Sequence, residues 1–358
     1  MTYFLKDILR QPAELRRCLD LLDGAARSKV AEAASLVRGT RHVFLTGIGS
    51  SWHAALNVSS LLFRHGLPVF AVDASELLHF TRIPPDSVIL ALSRSGRSAE
   101  IVGLLSKARE AGAPIVGFTN SPGGPLAVES RVSLEMPVAL DHGISVNTYS
   151  SLALAAGVVA STVTGHFDSN VSAALMRALH QADAALGSWR DRIECSPWLD
   201  PGASFYFMGR GASVGSCYEA RLLWEEGVKA PATAMGTGAF RHGPQEMVAS
   251  GARFGMWLDP KIMRSEDLAV ARDLHRLGAP VMLIGHGLPP EAGGLVCELP
   301  ETPCGWQFVL DAMPAQLAAE RMARVSGVDC DSFRICSYII EDESGLLPAE
   351  VAPQDGAK

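Results

Sequence analysis

One design occurs twice in this chain, and that repetition limits what it can fold into more than any other feature. Phe44-Leu-Thr-Gly-Ile-Gly-Ser-Ser51 and Tyr206-Phe-Met-Gly-Arg-Gly-Ala-Ser213 each run from a short apolar stretch through a glycine turn into a helical segment. Further along, Leu92 to Pro114 reads apolar run, loop, helix, Gly-Ala-Pro, and Leu258 to Pro280 repeats that order at the same length. A match of this kind is one α/β unit used twice. In the first copy, short runs rich in Val, Ile and Leu fall at residues 42–46, 69–72, 88–92, 115–119 and 132–136. In the second they fall at 204–208, 254–258, 281–284 and 295–299. Helical segments separate them, and strands alternating with helices build a mainly parallel sheet covered on both faces. The fold class is α/β.

A chain of 358 residues exceeds one ordinary core and fits two domains of roughly 150 residues each. Residues 8–37 read as an amphipathic helical segment, and residues 170–193 as another, the connection between the halves. With 48% hydrophobic and 19% charged residues, the chain buries a sizeable core and is not of the disordered class. A net charge of −7 and the lack of any Lys/Arg run argue against a nucleic-acid partner, so any bound anion needs a local site. No basic recognition helix occurs in residues 1–40. The seven cysteines (18, 195, 217, 297, 304, 330 and 336) are scattered, without a CxxC pair. That pattern points to reduced thiols in the cytoplasm, with neither a disulfide frame nor a metal site expected. The N-terminus carries charge too early for a secretory signal. The longest apolar stretch, residues 150–165, is shorter than the ~20 residues of a membrane span, so a buried helix and no membrane partner are expected.

Candidate chemistry centres on Ser93-Arg94-Ser95-Gly96-Arg97-Ser98, between the run 87–92 and the helical segment 99–112. A loop at the carboxyl end of a strand that opens a helix offers free amide N–H groups and a positive dipole end to an anion. Ser93, Ser95 and Ser98 add hydroxyl donors, Gly96 permits close approach, and Arg94 and Arg97 add charge. A phosphate is the natural guest; a serine-rich helix cap is the alternative. The second copy has Asp259-Pro-Lys-Ile-Met-Arg264 at this place, and one specialised copy favours a ligand site. The turn Gly47-Ile-Gly-Ser-Ser51 would face the same ligand at the sheet's switch point, Ser51 above all, or simply needs glycine to turn. It lacks the full G-x-G-x-x-G, so a dinucleotide is the weaker guest and no cofactor is expected. In Asp141-His-Gly-Ile-Ser-Val-Asn-Thr148, Ser145, Asn147 and Thr148 either bind sugar hydroxyls or cap the following helix. Glu219, Glu225 and Glu226 share one helical segment, where a glutamate is ordinarily solvated. His242 precedes a Gly-Pro that fixes its backbone, and a Glu with a His would supply an acid and a base.

Taken together, Gly49-Ser-Ser51-Trp-His53-Ala, Ser93 to Ser98, Gly209-Arg-Gly211 and Arg241-His-Gly-Pro244 resemble the SIS (sugar isomerase) domain family. Over roughly residues 8–340 the chain resembles the isomerase half of the glucosamine-6-phosphate synthases. The resemblance implies tandem SIS domains, each a flavodoxin-like three-layer sandwich. An N-terminal helical segment at 1–38 would precede SIS domain 1 at 39–168, a connecting helix at 169–198, SIS domain 2 at 199–340 and a polar tail at 341–358. It implies that Ser51, Ser93, Ser95 and Ser98 hold the phosphate of a hexose 6-phosphate, with Arg94, Ile144 and Ser145 in the substrate-binding set. Glu226 would move a proton between C1 and C2, and His242 would assist ring opening, acting across the interface of a homodimer. Departures from the pattern shape the expected chemistry. The synthases' N-terminal glutaminase cysteine has no counterpart, since this chain begins Met1-Thr2, so glutamine-independent action is expected. Leu223 stands where the synthases have a lysine, and Tyr338, in Ser332-Phe-Arg-Ile-Cys-Ser-Tyr338, stands where their C-terminal tail has a second. Lys229 is a candidate replacement, and Lys358 lies in a tail expected to be disordered. Isomerase, deaminase or deglycase chemistry on a keto or amino-substituted hexose 6-phosphate is the expected activity. The alternatives are plain aldose–ketose isomerisation and a sugar-phosphate sensor without turnover.

Overall fold

The computed structural model describes residues 1–289 and 294–346, so Lys358 lies outside the described residues. The first unit opens with two helices, α1 (Tyr3–Asp23) and α2 (Arg27–Arg38), where the sequence pattern predicts one. Thr2 accepts the Leu5 amide to start α1, and Gly24, outside helical geometry, ends it. A five-stranded parallel sheet follows, built of β1 (His42–Thr46), β2 (Phe70–Ala71), β3 (Ser87–Ser93), β4 (Ile115–Thr119) and β5 (Val132–Glu135) in the order β2-β1-β3-β4-β5. Helices α3 (Ser50–Arg64), α4 (Ala74–His79), α5 (Ala99–Ala111) and α6 (Pro125–Glu129) connect these strands. Along β1 and β3, Leu45, Val88 and Leu90 join one core cluster while Phe44, Ile89 and Ala91 join another. Both faces of the sheet are therefore covered, as all-parallel pairing requires.

Helix α7 (Asn147–Val163) is buried along nearly its whole length, as expected of the apolar stretch, and α8 (Ser169–Glu194) leads to the second unit. There β6 (Ser204–Gly209), β7 (Ala232–Gly236), β8 (Ala252–Leu258), β9 (Val281–Gly285) and β10 (Leu295–Glu298) form a second parallel sheet, ordered β10-β9-β8-β6-β7. Counted from its own first strand, this is the order of the first sheet, so the repetition read in the sequence is a repetition of topology. The edge strand β7 escapes the sequence pattern, because Ala-Thr-Ala-Met-Gly is only half-buried and has one large apolar side chain. Helices α9 (Val214–Leu223), α10 (Thr237–Phe240), α11 (Arg264–Arg276) and α12 (Met313–Val325) are the α-helices described in this unit. Among the described residues no helix is long and apolar enough to cross a membrane.

The two units share one core, into which α1, α3, α7, α9 and α12 all send side chains. Helices α3 and α9, the first helix after the first strand of each unit, meet at backbone distance: a Cβ on Gly215 would lie 2.1 Å from the His53 carbonyl oxygen. A buried polar chain runs through this seam. Asn57 donates to Tyr149 at 2.8 Å and to Ser216 at 3.2 Å, and Ser216 and Ser213 donate to Asp311 at 2.6 and 2.7 Å.

Candidate functional site

In the first sheet the chain leaves β1 toward β2 and leaves β3 toward β4, so the loops after β1 and β3 converge at the carboxyl edge where a parallel sheet binds ligands. A cavity of about 260 Å³ lies there. Gly49, with φ +56°, turns the chain into α3, and Ser50 and Ser51 line the cavity. From the β3 loop come Ser93, Arg94, Ser95 and Ser98. Ser93 accepts the Gly96 amide and Ser95 the Arg97 amide, both at 3.1 Å, which shapes the loop and leaves each hydroxyl hydrogen to give. Gly96 sits at φ +65° against Leu126, where a Cβ would come within 2.9 Å of the leucine's own. Ser98 precedes α5 with no side-chain cap bond. Arg97 is exposed and does not line the cavity.

The β5–α7 loop contributes Gly143 and Ser145. Ile144, expected in the substrate set, instead packs its side chain 3.1 Å from the site of a Gly227 Cβ and stays out of the cavity lining. Asn147 and Thr148 do not cap the helix with their own side chains. Both are fully buried and give their side-chain donors to Asp141, at 2.7 Å each, while Asp141 also takes the amides of Val146, Asn147 and Thr148.

The second unit delivers Glu226. After α9 the chain widens into a π-helical turn, Trp224–Val228, and Lys229 closes it at φ +59°. Such turns insert a residue into a helix and recur at functional sites. Glu226 reaches the cavity, whereas Glu225 is exposed beside Arg221. Burial pushes the Glu226 carboxyl up to about 7; the Glu219 charge adds to the rise, and Arg94 and Lys229 oppose it. Glu219 is fully buried, accepting Ser50 Oγ at 3.0 Å and lying 2.8 Å from His53 Nδ1. Helical periodicity gave Glu219 no partner, because His53 and Ser50 lie more than 160 residues away in the chain.

The far wall is the segment after α12, with Phe333 and Cys336 to Ile340. Tyr338 donates to the Asp141 carbonyl at 2.8 Å, its ring lies 3.8 Å from the Arg94 guanidinium, and its own carbonyl accepts from Arg94 Nη2. Ile340 accepts the Ala99 amide at 3.0 Å, at the very start of α5. Lys229 does not line the cavity. Its ammonium is spent on main-chain carbonyls, Ser332 at 2.8 Å and Glu226. His242 is exposed after α10 and also lies outside the cavity lining. Among the described residues, no three His, Cys, Asp or Glu side chains group as metal ligands.

A family model described as the SIS domain matches residues 36–161. The glutamine–fructose-6-phosphate aminotransferase [isomerizing] of Pyrococcus horikoshii is 25% identical over 345 residues, 92% of this chain and 56% of its own. The chain thus spans about half the length of the curated relatives it matches. Two solved structures share the fold. Glucosamine-6-phosphate deaminase of Thermotoga maritima superposes with a TM-score of 0.80 at 21% identity, covering 95% of this chain and 99% of its own. Tagatose-6-phosphate ketose/aldose isomerase of Escherichia coli gives 0.79 at 20% identity, covering 92% and 94%. Residues 36–161 thus match the SIS domain, and over most of its length the chain is similar to glutamine–fructose-6-phosphate aminotransferases.

Proposed function

We propose that the protein acts on a keto or amino-substituted hexose 6-phosphate and moves a proton between C1 and C2, with Glu226 as the base. The observation that carries this reading is that Glu226, with its carboxyl near 7, lines the same small cavity as the serine loop. A general base is most effective when its pKa lies near working pH. Ser51, Ser93, Ser95 and Ser98 are the proposed phosphate ligands, with Arg94 and Ser145 toward the sugar. From an open-chain aldose, Glu226 takes the C2 proton; the C–H electrons form the C1–C2 double bond and the carbonyl oxygen takes the charge. Return of the proton at C1, with the C2 hydroxyl proton passing to the C1 oxygen as the C2 carbonyl forms, completes the ketose. If C2 bears an amine, the same transfer leaves an imine, which water converts to the ketose and ammonia. Names of the relatives, one an isomerizing aminotransferase and two acting on 6-phosphosugars as a deaminase and an isomerase, agree with this chemistry.

No lysine lines the cavity among the described residues, and the proposed isomerisation, deamination or deglycation runs without a protein-bound imine. The protein is read as a homodimer of this chain in which His242 reaches the partner's cavity, consistent with its exposure in one chain. The test is thermal stabilisation by glucosamine, fructose, N-acetylglucosamine and fructosamine-type 6-phosphates. Each stabilising sugar is then assayed for C1/C2 proton exchange with deuterated solvent and for released ammonia or amine. Stabilisation with exchange supports the enzyme. Stabilisation without exchange supports a sugar-phosphate sensor, the reading that the absent lining lysine would favour. No stabilisation by any 6-phosphosugar rejects the site.

A further inference from the structure

Arg94 is the only cationic side chain lining the cavity among the described residues. Its guanidinium is held on three sides. Nη1 donates to the Gly143 carbonyl at 3.3 Å and Ser145 Oγ at 3.2 Å, Nη2 donates to the Tyr338 carbonyl, and the Tyr338 ring stacks at 3.8 Å. Nε and the second Nη2 hydrogen have no protein partner among the described residues, so two donors of a fixed planar fork remain for a ligand. Arg94 and Glu226 line the same cavity of about 260 Å³, so the guanidinium shares the space in which the proposed base takes its proton and negative charge appears.

Resting on the activity proposed above, we infer that Arg94 stabilises the enediolate oxygen that becomes charged as Glu226 takes the proton, and that Tyr338 is the positioning residue holding Arg94 there. Donors fixed before charge develops act on the transition state more than on the bound sugar. Tyr338 thereby gives a role to a position where the resembled pattern has an amine. The proton still moves only between substrate and Glu226; Arg94, charged throughout, exchanges none.

The test compares two ligands that share a phosphate and differ at the reacting end. 5-Phosphoarabinonohydroxamate presents a planar, anionic mimic of the enediolate, and sorbitol 6-phosphate presents an uncharged polyol. In Arg94→Gln, hydroxamate affinity should fall about 100-fold and sorbitol 6-phosphate affinity stay within about threefold. The proton-exchange kcat should fall with the hydroxamate. Retained polyol binding reports a folded site. Equal losses for both ligands would make Arg94 an ordinary phosphate ligand and overturn the inference while leaving the isomerase reading intact. A wild-type protein that neither prefers the hydroxamate nor exchanges a proton would overturn the isomerase reading and the inference together. Tyr338→Ala should lose about tenfold of the hydroxamate preference, Tyr338→Phe should keep most of it, and the Arg94→Gln/Tyr338→Ala pair should be no worse than Arg94→Gln alone. Additive losses in the pair would remove Tyr338 from the positioning role.

Discussion

Glu226 and the residues around it make a chemical prediction at the scale of a single proton. A base raised to about 7 must lose its proton before it can work. In the proposed enzyme, kcat/KM should rise about tenfold per pH unit below 7 and level off above it, and Glu226→Gln should lower kcat at least 1,000-fold with sugar-phosphate binding retained. A pH-independent kcat/KM between 5 and 9 would exclude Glu226 as the base. The same carboxyl predicts a stability effect of definite sign. Its folded pKa lies above the ordinary 4.5, so its contribution to stability is complete below about 4.5 and lost as pH rises through about 7. Glu226→Gln should therefore melt higher than wild type at pH 8 and at nearly the same temperature at pH 4. Asp311, buried and raised to about 6, weakens the fold over part of the same range, but it does so in both proteins and cancels from the comparison.

At the scale of elements, the site exists because α3 and α9 pack closely enough for Ser50 and His53 to reach Glu219. Gly215 makes that approach possible. A methyl group there would meet the His53 carbonyl at 2.1 Å and Asn57 Oδ1 at 2.3 Å, and backbone on one side leaves no cheap relief. Gly215→Ala should cost about 3 kcal/mol, measured by urea denaturation, and weaken sugar-phosphate binding as well. A change under about 0.5 kcal/mol would mean the helices can separate without loss. The same scale shows what the sequence could and could not disclose. The serine loop was legible as a junction because strand, loop and helix follow one another locally, and its three serines fall within six consecutive residues. Asp141 as the acceptor that gathers this loop was not legible: Asn147 and Thr148 were expected to bind sugar or cap the helix, and their side chains donate to Asp141 instead. The Glu219–His53 pair and the Arg94–Tyr338 clasp join residues 166 and 244 positions apart, a distance no periodicity spans. Ile144 went astray for a simpler reason: its neighbours on either side face the cavity and its own side chain packs under Gly227.

For the whole molecule, the duplicated topology has been used unequally. Both sheets have the same strand order, yet the serine loop belongs to one unit and Glu226 to the other, so a cavity between equivalent halves has become a single asymmetric site. His242 stands apart from it, exposed on the second unit. If two copies associate about a two-fold axis and each lends His242 to its partner, the active unit is a pair of chains, and each site can be broken from either side. The consequence is measurable by mixing. Glu226→Gln and His242→Asn proteins, each inactive alone, should regain activity when unfolded together and refolded at equal concentration. Half of the resulting dimers would be mixed, and each mixed dimer would hold one site with Glu226 from one chain and His242 from the other. About a quarter of the wild-type sites should then return. A mixture with no more activity than its parents, in protein shown by light scattering to be dimeric, would place both residues' work within one chain or remove His242 from the reaction.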